Sequence, residues 1–323
     1  MMEALRAGVV GIGKMGLYHV GVLAEMRDLK LTHISDVNEE RCQEISQRFG
    51  LTPVTDYKDM FGKVDVVVVA VPTVLHYPVT KDFLNAGIHV LLEKPCANNL
   101  DHAREMFDIA EKKNLILHIG HVERFNGAVQ ELHKLVQDPV FVECKRTGPF
   151  NQRIKDDGVV LDIMIHDIDI VLNLMQSKVI STNVMGTSVF SGRDDLVNVQ
   201  MVFENGCMAN IIASRASQNK IRTLSVTQKE SYVLLDYTDQ EIYVHRQSSS
   251  EHQLSKDTLR YKQESLIERI FVHKDNPLKL ELQHFLDCVQ NGTPRNVAVD
   301  KELYSLEIAL GIVDTFNRQR TGT

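Results

Sequence analysis

The chain has 323 residues, 43% hydrophobic and 24% charged, with a formal net charge of −7. That length suits about two domains of ordinary size, and the mild acidity offers neither a nucleic acid nor a membrane surface a basic partner. Five scattered cysteines, at 42, 96, 144, 207 and 288, have no metal-ligand spacing, and their odd number speaks against a disulfide framework. Residues 1–6 lead straight into a strand-like stretch without a signal peptide, and no apolar run approaches roughly 18 residues. A reduced, cytoplasmic protein is expected.

Residues 7–10 read as a short buried strand that runs into Gly11-Ile12-Gly13-Lys14-Met15-Gly16 and then a helical stretch to about Met26. A second strand, 31–34, ends at Ser35-Asp36, 20 positions beyond Gly16. A G-x-G-x-x-G with a strand before it, a helix after it and an acid at that distance is the dinucleotide-binding pattern. Gly11 permits the tight turn, Gly13 lets the backbone approach a pyrophosphate, and Gly16 lets the helix pack close to the strand. The helix start then offers N–H groups and partial positive charge to phosphates. Asp36 can accept hydrogen bonds from both adenosine ribose hydroxyls and repels a 2′-phosphate, which favours NAD over NADP.

The pattern repeats. Residues 64–71 form a near-continuous β-branched run, as expected of a strand buried on both faces, and Pro72 ends it. A helix begins at Thr73 and reaches Ala86, a strand covers 88–92, a helix 101–113 and a strand 115–119. This alternation predicts a Rossmann, doubly wound parallel sheet over 1–121. Pro72, Thr73, His76, Glu93 and Lys94 then cluster at the carboxyl edge, where such sheets bind the reactive end of a dinucleotide. Lys94 is a cation at the end of a buried strand, stopped by Pro95. Cys96 beside it has no His or Asn pattern that would make it a nucleophile.

From 122 the texture changes. A helix at 127–136 and a strand at 140–145 are followed by strand-like segments at 179–190, 196–203, 207–214, 222–226, 232–236 and 242–245, with a hairpin turn at Glu204-Asn205-Gly206. A second α/β domain over 122–323, with a large open and mostly antiparallel sheet, is expected. Residues 247–277 read as polar and irregular. Helices near 278–290 and 301–318 close the chain.

One helix, 159–172, is apolar except for Asp162, His166, Asp167 and Asp169. At 100° per residue, 162, 166 and 169 share a narrow face. Asp162 one turn before His166 can orient the imidazole and raise its basicity, the logic of a general base. The same pair would also serve as hydrogen-bond partners in a core, and Asp162, His166 and Asp169 would suit a divalent ion. Lys145, Arg146, Arg153 and Lys155 precede this helix in an otherwise acidic chain, as a diphosphate-binding loop would require, or as a solvated charged loop would equally show.

Gly11-x-Gly13-x-x-Gly16, Glu93-Lys94-Pro95, Gly120-His121-x-x-Arg124-Phe125 and Asp162-x-x-x-His166-Asp167, in this order, resemble the Gfo/Idh/MocA family of NAD(P)-dependent sugar and polyol oxidoreductases. The resemblance spans essentially the whole chain. It implies catalysis by Lys94, Asp162 and His166, with His121 and Arg124 at the substrate, and an open sheet that forms a homodimer or homotetramer. Residues 148–156, 159–162 and 276–281 further resemble the branch acting on UDP-N-acetylglucosamine. That resemblance implies oxidation of the sugar's 3-hydroxyl before an aminotransferase acts, on the way to diamino sugars of lipid A or related glycans. Arg153 and Lys155 would then bind the sugar nucleotide. No metal is implied. A free polyol or aldose such as inositol is the alternative substrate, and an NAD-binding regulator the non-enzymatic alternative.

Overall fold

A computed structural model describes residues 4–27, 29–150, 157–255 and 258–321, with the side chains of 247–265 outside that description. The chain forms two compact units, Met1–Val122 with Asn276–Gly311, and Glu123–Asp275 with Ile312–Thr323. The contacts thus group 276–311 with the N-terminal unit. Among the described residues no helix is long and apolar enough to cross a membrane.

The first unit is built on a six-stranded sheet of β1 (Leu5–Val10), β2 (Leu29–Ser35), β3 (Thr52–Val54), β4 (Val66–Val69), β5 (His89–Glu93) and β6 (Leu117–Gly120), in the order β3-β2-β1-β4-β5-β6. Every pairing is parallel. The β-branched run at β4 is buried throughout, each valine contributing roughly 1.5–3 kcal/mol relative to exposure. Helices α1 (Lys14–Glu25), α2 (Glu39–Phe49), α3 (Thr73–Asn85) and α4 (Leu100–Lys112) connect the strands. One core contains Val20, Leu23 and Ile34 together with Leu282 and Phe285 of α7 (Pro277–Asn291). The other contains Phe83, Leu92 and Met106 together with Leu306. Leu306 lies on α8 (Val299–Thr321), and these two apolar clusters are why 276–311 joins this unit.

The second unit carries α5 (Gly127–Leu135), β7 (Phe141–Thr147), a π-helical turn (Val160–Met164) leading into α6 (Ile165–Met175), and strands β8 (Val179–Thr187), β9 (Leu196–Phe203), β10 (Met208–Ser214), β11 (Ile221–Thr227), β12 (Ser231–Asp236), β13 (Glu241–Ser255) and β14 (Thr258–Ile270). These eight strands order as β14-β13-β12-β11-β7-β10-β9-β8. Only the β7–β10 pair is parallel; the other pairings are antiparallel. Alternation sets the two faces. Val142, Cys144 and Arg146 of β7 are buried, and Glu143 and Lys145 are exposed. Of residues 247–277, expected to be irregular, 247–255 instead continue β13 and 258–270 form β14. Their sequence lacks the alternation that marks a half-buried strand, and it is the antiparallel pairing of β13 with β14, its neighbour in the chain, that makes them strands.

Candidate active site

In the first unit the glycine turn closes on the strand ends as its pattern requires. Gly11 has φ +82°, and a Cβ there would come within 2.5 Å of the Ala70 carbonyl oxygen at the end of β4. A Cβ at Gly16 would fall 1.8 Å from the Gly11 carbonyl oxygen. Gly13 faces open space, and α1 starts after it with no side-chain cap, so free N–H groups remain for an anion. Lys14 is exposed, Met15 half-buried and Ile12 buried. The Asp36 carboxylate accepts the Ile12 N–H at 2.8 Å and the Asn38 N–H at 2.9 Å. It therefore braces the glycine turn, and the remaining lone pairs of its two oxygens can take ribose hydroxyls. These features fit a dinucleotide.

At the ends of β4 and β5, Pro72 is exposed and Thr73 buried in the first turn of α3. His76 is buried, its Nδ1 2.7 Å from the Pro95 carbonyl oxygen and its Nε2 2.9 Å from that of Val71. Glu93 is buried with Oε1 2.7 Å from His19 Nε2. Burial alone would raise the Glu93 carboxyl, but the His19 contact and the charges of Lys94 and His76 outweigh it and hold it below the ordinary value. Between Leu91 and Ala97, Lys94 alone keeps part of its surface accessible. Cys96 is buried, which pushes its thiol far up and removes it as a nucleophile. His121 is buried with Nε2 3.8 Å from Glu302 of α8.

In the second unit the sequence placed 162, 166 and 169 on one helical face. The three differ in their surroundings. The segment Val160–Met164 is π-helical, which adds a residue to the turn and rotates the helix beyond it. Asp169 is buried and takes both ends of the Arg124 guanidinium, at 2.7 and 2.6 Å. Asp162 and His166 are half-buried. The expectation that Arg146 belongs to a diphosphate loop also fails. Strand alternation turns Arg146 inward, where it donates to both Asp167 oxygens at 2.9 Å and to Glu123 at 2.8 Å, with its guanidinium over the Tyr237 ring. Burial opposes its charge, but Asp167 and Glu123 outweigh that and keep it ionised. Lys145 points to the opposite, exposed face. Arg153 and Lys155 lie outside the described residues.

Two residues escaped the sequence reading. Asp194 accepts the Val160 N–H at 2.8 Å and its carbonyl takes the Val159 N–H, so it starts the helix of Asp162 and His166. A Cβ at Gly158 would overlap the Asp194 carboxylate at 1.6 Å. Nothing local in the sequence links 158–160 to 194. His19 had a signal, because Gly16, His19, Val20 and Leu23 share the buried face of α1 and a histidine among them needs a partner.

Two family models match, one described as an oxidoreductase family with an NAD-binding Rossmann fold over residues 5–121 and one as a GFO/IDH/MocA C-terminal domain over 119–232. The UDP-N-acetylglucosamine 3-dehydrogenase of Acidithiobacillus ferrooxidans is 28% identical over 249 residues, 77% of this chain and 79% of that protein. A solved structure of the enzyme of that name from the same organism, GnnA, superposes with a TM-score of 0.85 at 26% identity, covering 97% of both chains. The scyllo-inositol 2-dehydrogenase (NAD(+)) of Bacillus subtilis is 22% identical over 98% of this chain and 95% of its own.

Proposed function

The chain belongs to the Gfo/Idh/MocA family of oxidoreductases, and on that premise we propose that it oxidises the 3-hydroxyl of UDP-N-acetylglucosamine to the 3-keto sugar with NAD. A keto carbon is the substrate an aminotransferase needs, so transamination would follow. The observation that carries the reading is the pattern of burial. Asp167 and Asp169 are buried and locked to arginines, while Asp162 and His166, the other two ionisable residues of 159–172, keep accessible surface, as Lys94 does at its strand end. The choice of substrate rests on the Acidithiobacillus relative, whose match extends well beyond the Rossmann half.

Bound NAD would supply the hydride acceptor. Gly11, Ile12, Gly13, Lys14, Met15 and Gly16 would hold its pyrophosphate, Asp36 its adenosine ribose, and Pro72, Thr73, His76 and Glu93 would frame its nicotinamide end. His166 takes the proton of the sugar hydroxyl, with Asp162 orienting the imidazole. Lys94 donates a hydrogen bond to the same oxygen and stabilises its developing negative charge. Arg153 and Lys155 hold the diphosphate, and His121 and Arg124 shape the substrate's surroundings. Asp36 selects NAD over NADP. The reading places the protein in the cytoplasm, which cell fractionation checks.

The scyllo-inositol dehydrogenase, matching nearly the whole chain, favours a free polyol as the second reading. NADH formation at 340 nm with UDP-N-acetylglucosamine, free N-acetylglucosamine and inositols decides between them. UDP-N-acetylglucosamine alone is expected to turn over, and replacing Arg153 and Lys155 with alanine should raise its KM. Turnover of inositol with none of the nucleotide sugar would overturn the proposal.

A further inference from the structure

Both residues that flank Lys94 are tied to buried imidazoles. On one side His19, on α1 and 0% exposed, has Nε2 2.7 Å from Glu93 Oε1. The Glu93 side chain is also boxed in behind, because a Cβ at Gly120 would already sit 3.3 Å from Glu93 Oε2 and Cα. On the other side His76, on α3 and 1% exposed, has Nδ1 2.7 Å from the Pro95 carbonyl oxygen and Nε2 2.9 Å from the Val71 carbonyl oxygen. It thereby joins the segment after β4 to the segment after β5.

A carbonyl oxygen only accepts. A neutral imidazole has one N–H, so with carbonyls at both nitrogens it would aim a lone pair at one of them. Only the imidazolium donates to both. Burying that charge is costly unless it is compensated. Two carbonyl dipoles provide compensation, and the Glu93 carboxylate, close enough to interact with a charge on this ring, adds to it.

We propose that His19 and His76 are positioning residues that together fix the Lys94 ammonium, and that His76 is held as a doubly protonated imidazolium in the folded protein. The positioning half rests on the dehydrogenase reading above; the protonation state of His76 does not. His19 acts through Glu93 and His76 through Pro95, so neither needs to touch the substrate. With both ring nitrogens engaged by carbonyls, His76 serves the cofactor site by shaping it.

The test uses the full-length protein. His19→Phe and His76→Phe keep a ring of similar size without the donors. Each should lower kcat about 10- to 100-fold, the scale of a displacement of roughly 1 Å, and in His19→Phe, whose ring is not placed at the cofactor, the KM for NAD should stay within about twofold of the wild type. His19→Gln, which retains an N–H near the Nε2 position, should recover most of the loss. Variants that melt earlier but turn over normally at 25 °C would make the histidines merely structural and overturn the positioning half. Should the phenylalanine variants not fold, Glu93→Gln and His19→Gln decide that half. A wild-type kcat in Glu93→Gln, which weakens the bond to His19, sinks it. The imidazolium half is read from ring 15N shifts at pH 7.5. Two protonated nitrogens on His76 are expected, and one protonated with one bare nitrogen overturns it, whatever substrate the enzyme proves to use.

Discussion

Lys94 sits between two buried neighbours that do not depend on its own side chain. Glu93 is held by His19 and Pro95 by His76, so removing the ammonium should leave the backbone in place. His166 is likewise half-buried on a helix whose start is fixed elsewhere, by Asp194. Lys94→Ala and His166→Ala are therefore expected to fold and bind NAD normally while kcat falls by about 10²–10⁴, the usual contribution of a positioned acid–base group. Steady-state kinetics with NAD binding followed by fluorescence checks this. Near-normal rates in both would refute the proposed roles.

The helix α6 shows how a buried apolar element carries acids. Asp167 and Asp169 lie on faces that packing closes, and each is met by the fork of an arginine, Arg146 from β7 and Arg124 from the short 3-10 turn before α5. A bidentate fork satisfies both carboxylate oxygens at once. Removing one partner strands a charge in the core. Arg146→Ala should cost about 3–5 kcal/mol, while Arg146→Met combined with Asp167→Leu and Glu123→Gln, which removes both carboxylates the guanidinium meets, should restore most of it. Urea midpoints measure both, and a single variant as stable as the wild type would show that the clamp contributes nothing.

The eight-stranded sheet has one face turned to α5, α6 and the buried row of Val142, Cys144 and Arg146. The opposite row runs across neighbouring strands through Phe141, Met208, Val202, Thr227 and Tyr232 in register. Met208 and Tyr232 there are exposed. Exposed apolar side chains on an open sheet face suit a subunit interface, so we propose that a homodimer or homotetramer covers it. Sedimentation velocity should give a mass above that of one 36.6 kDa chain, and Met208→Glu with Tyr232→Glu should shift it towards monomer. A monomer at micromolar concentration in the unaltered protein would end that proposal.

Much of this architecture was written locally. The glycine turn, the β-branched run of β4, the Glu204-Asn205-Gly206 turn and the strand–helix alternation are short-range signals, because a turn, a buried strand or a helix start is decided by a few neighbouring residues. Lys94 was legible for the same reason, as a cation at a strand end before a proline. The places where sequence reasoning failed are those where distant segments meet. An α-helical period could not foresee the π-turn at Val160–Met164, nor that Arg124 and Arg146 would neutralise the acids beside His166. Residues 247–255 and 258–270 failed for another reason: they lack a hydrophobic pattern and are strands by pairing as neighbours in the chain. The order of amino acids was enough to say which chemistry-bearing residues this chain owns and to place five of the six strands of its first sheet, but not the three-residue edge strand β3. Which of those residues stay accessible was settled only by the packed fold, since burial and ion pairing belong to segments tens of residues apart.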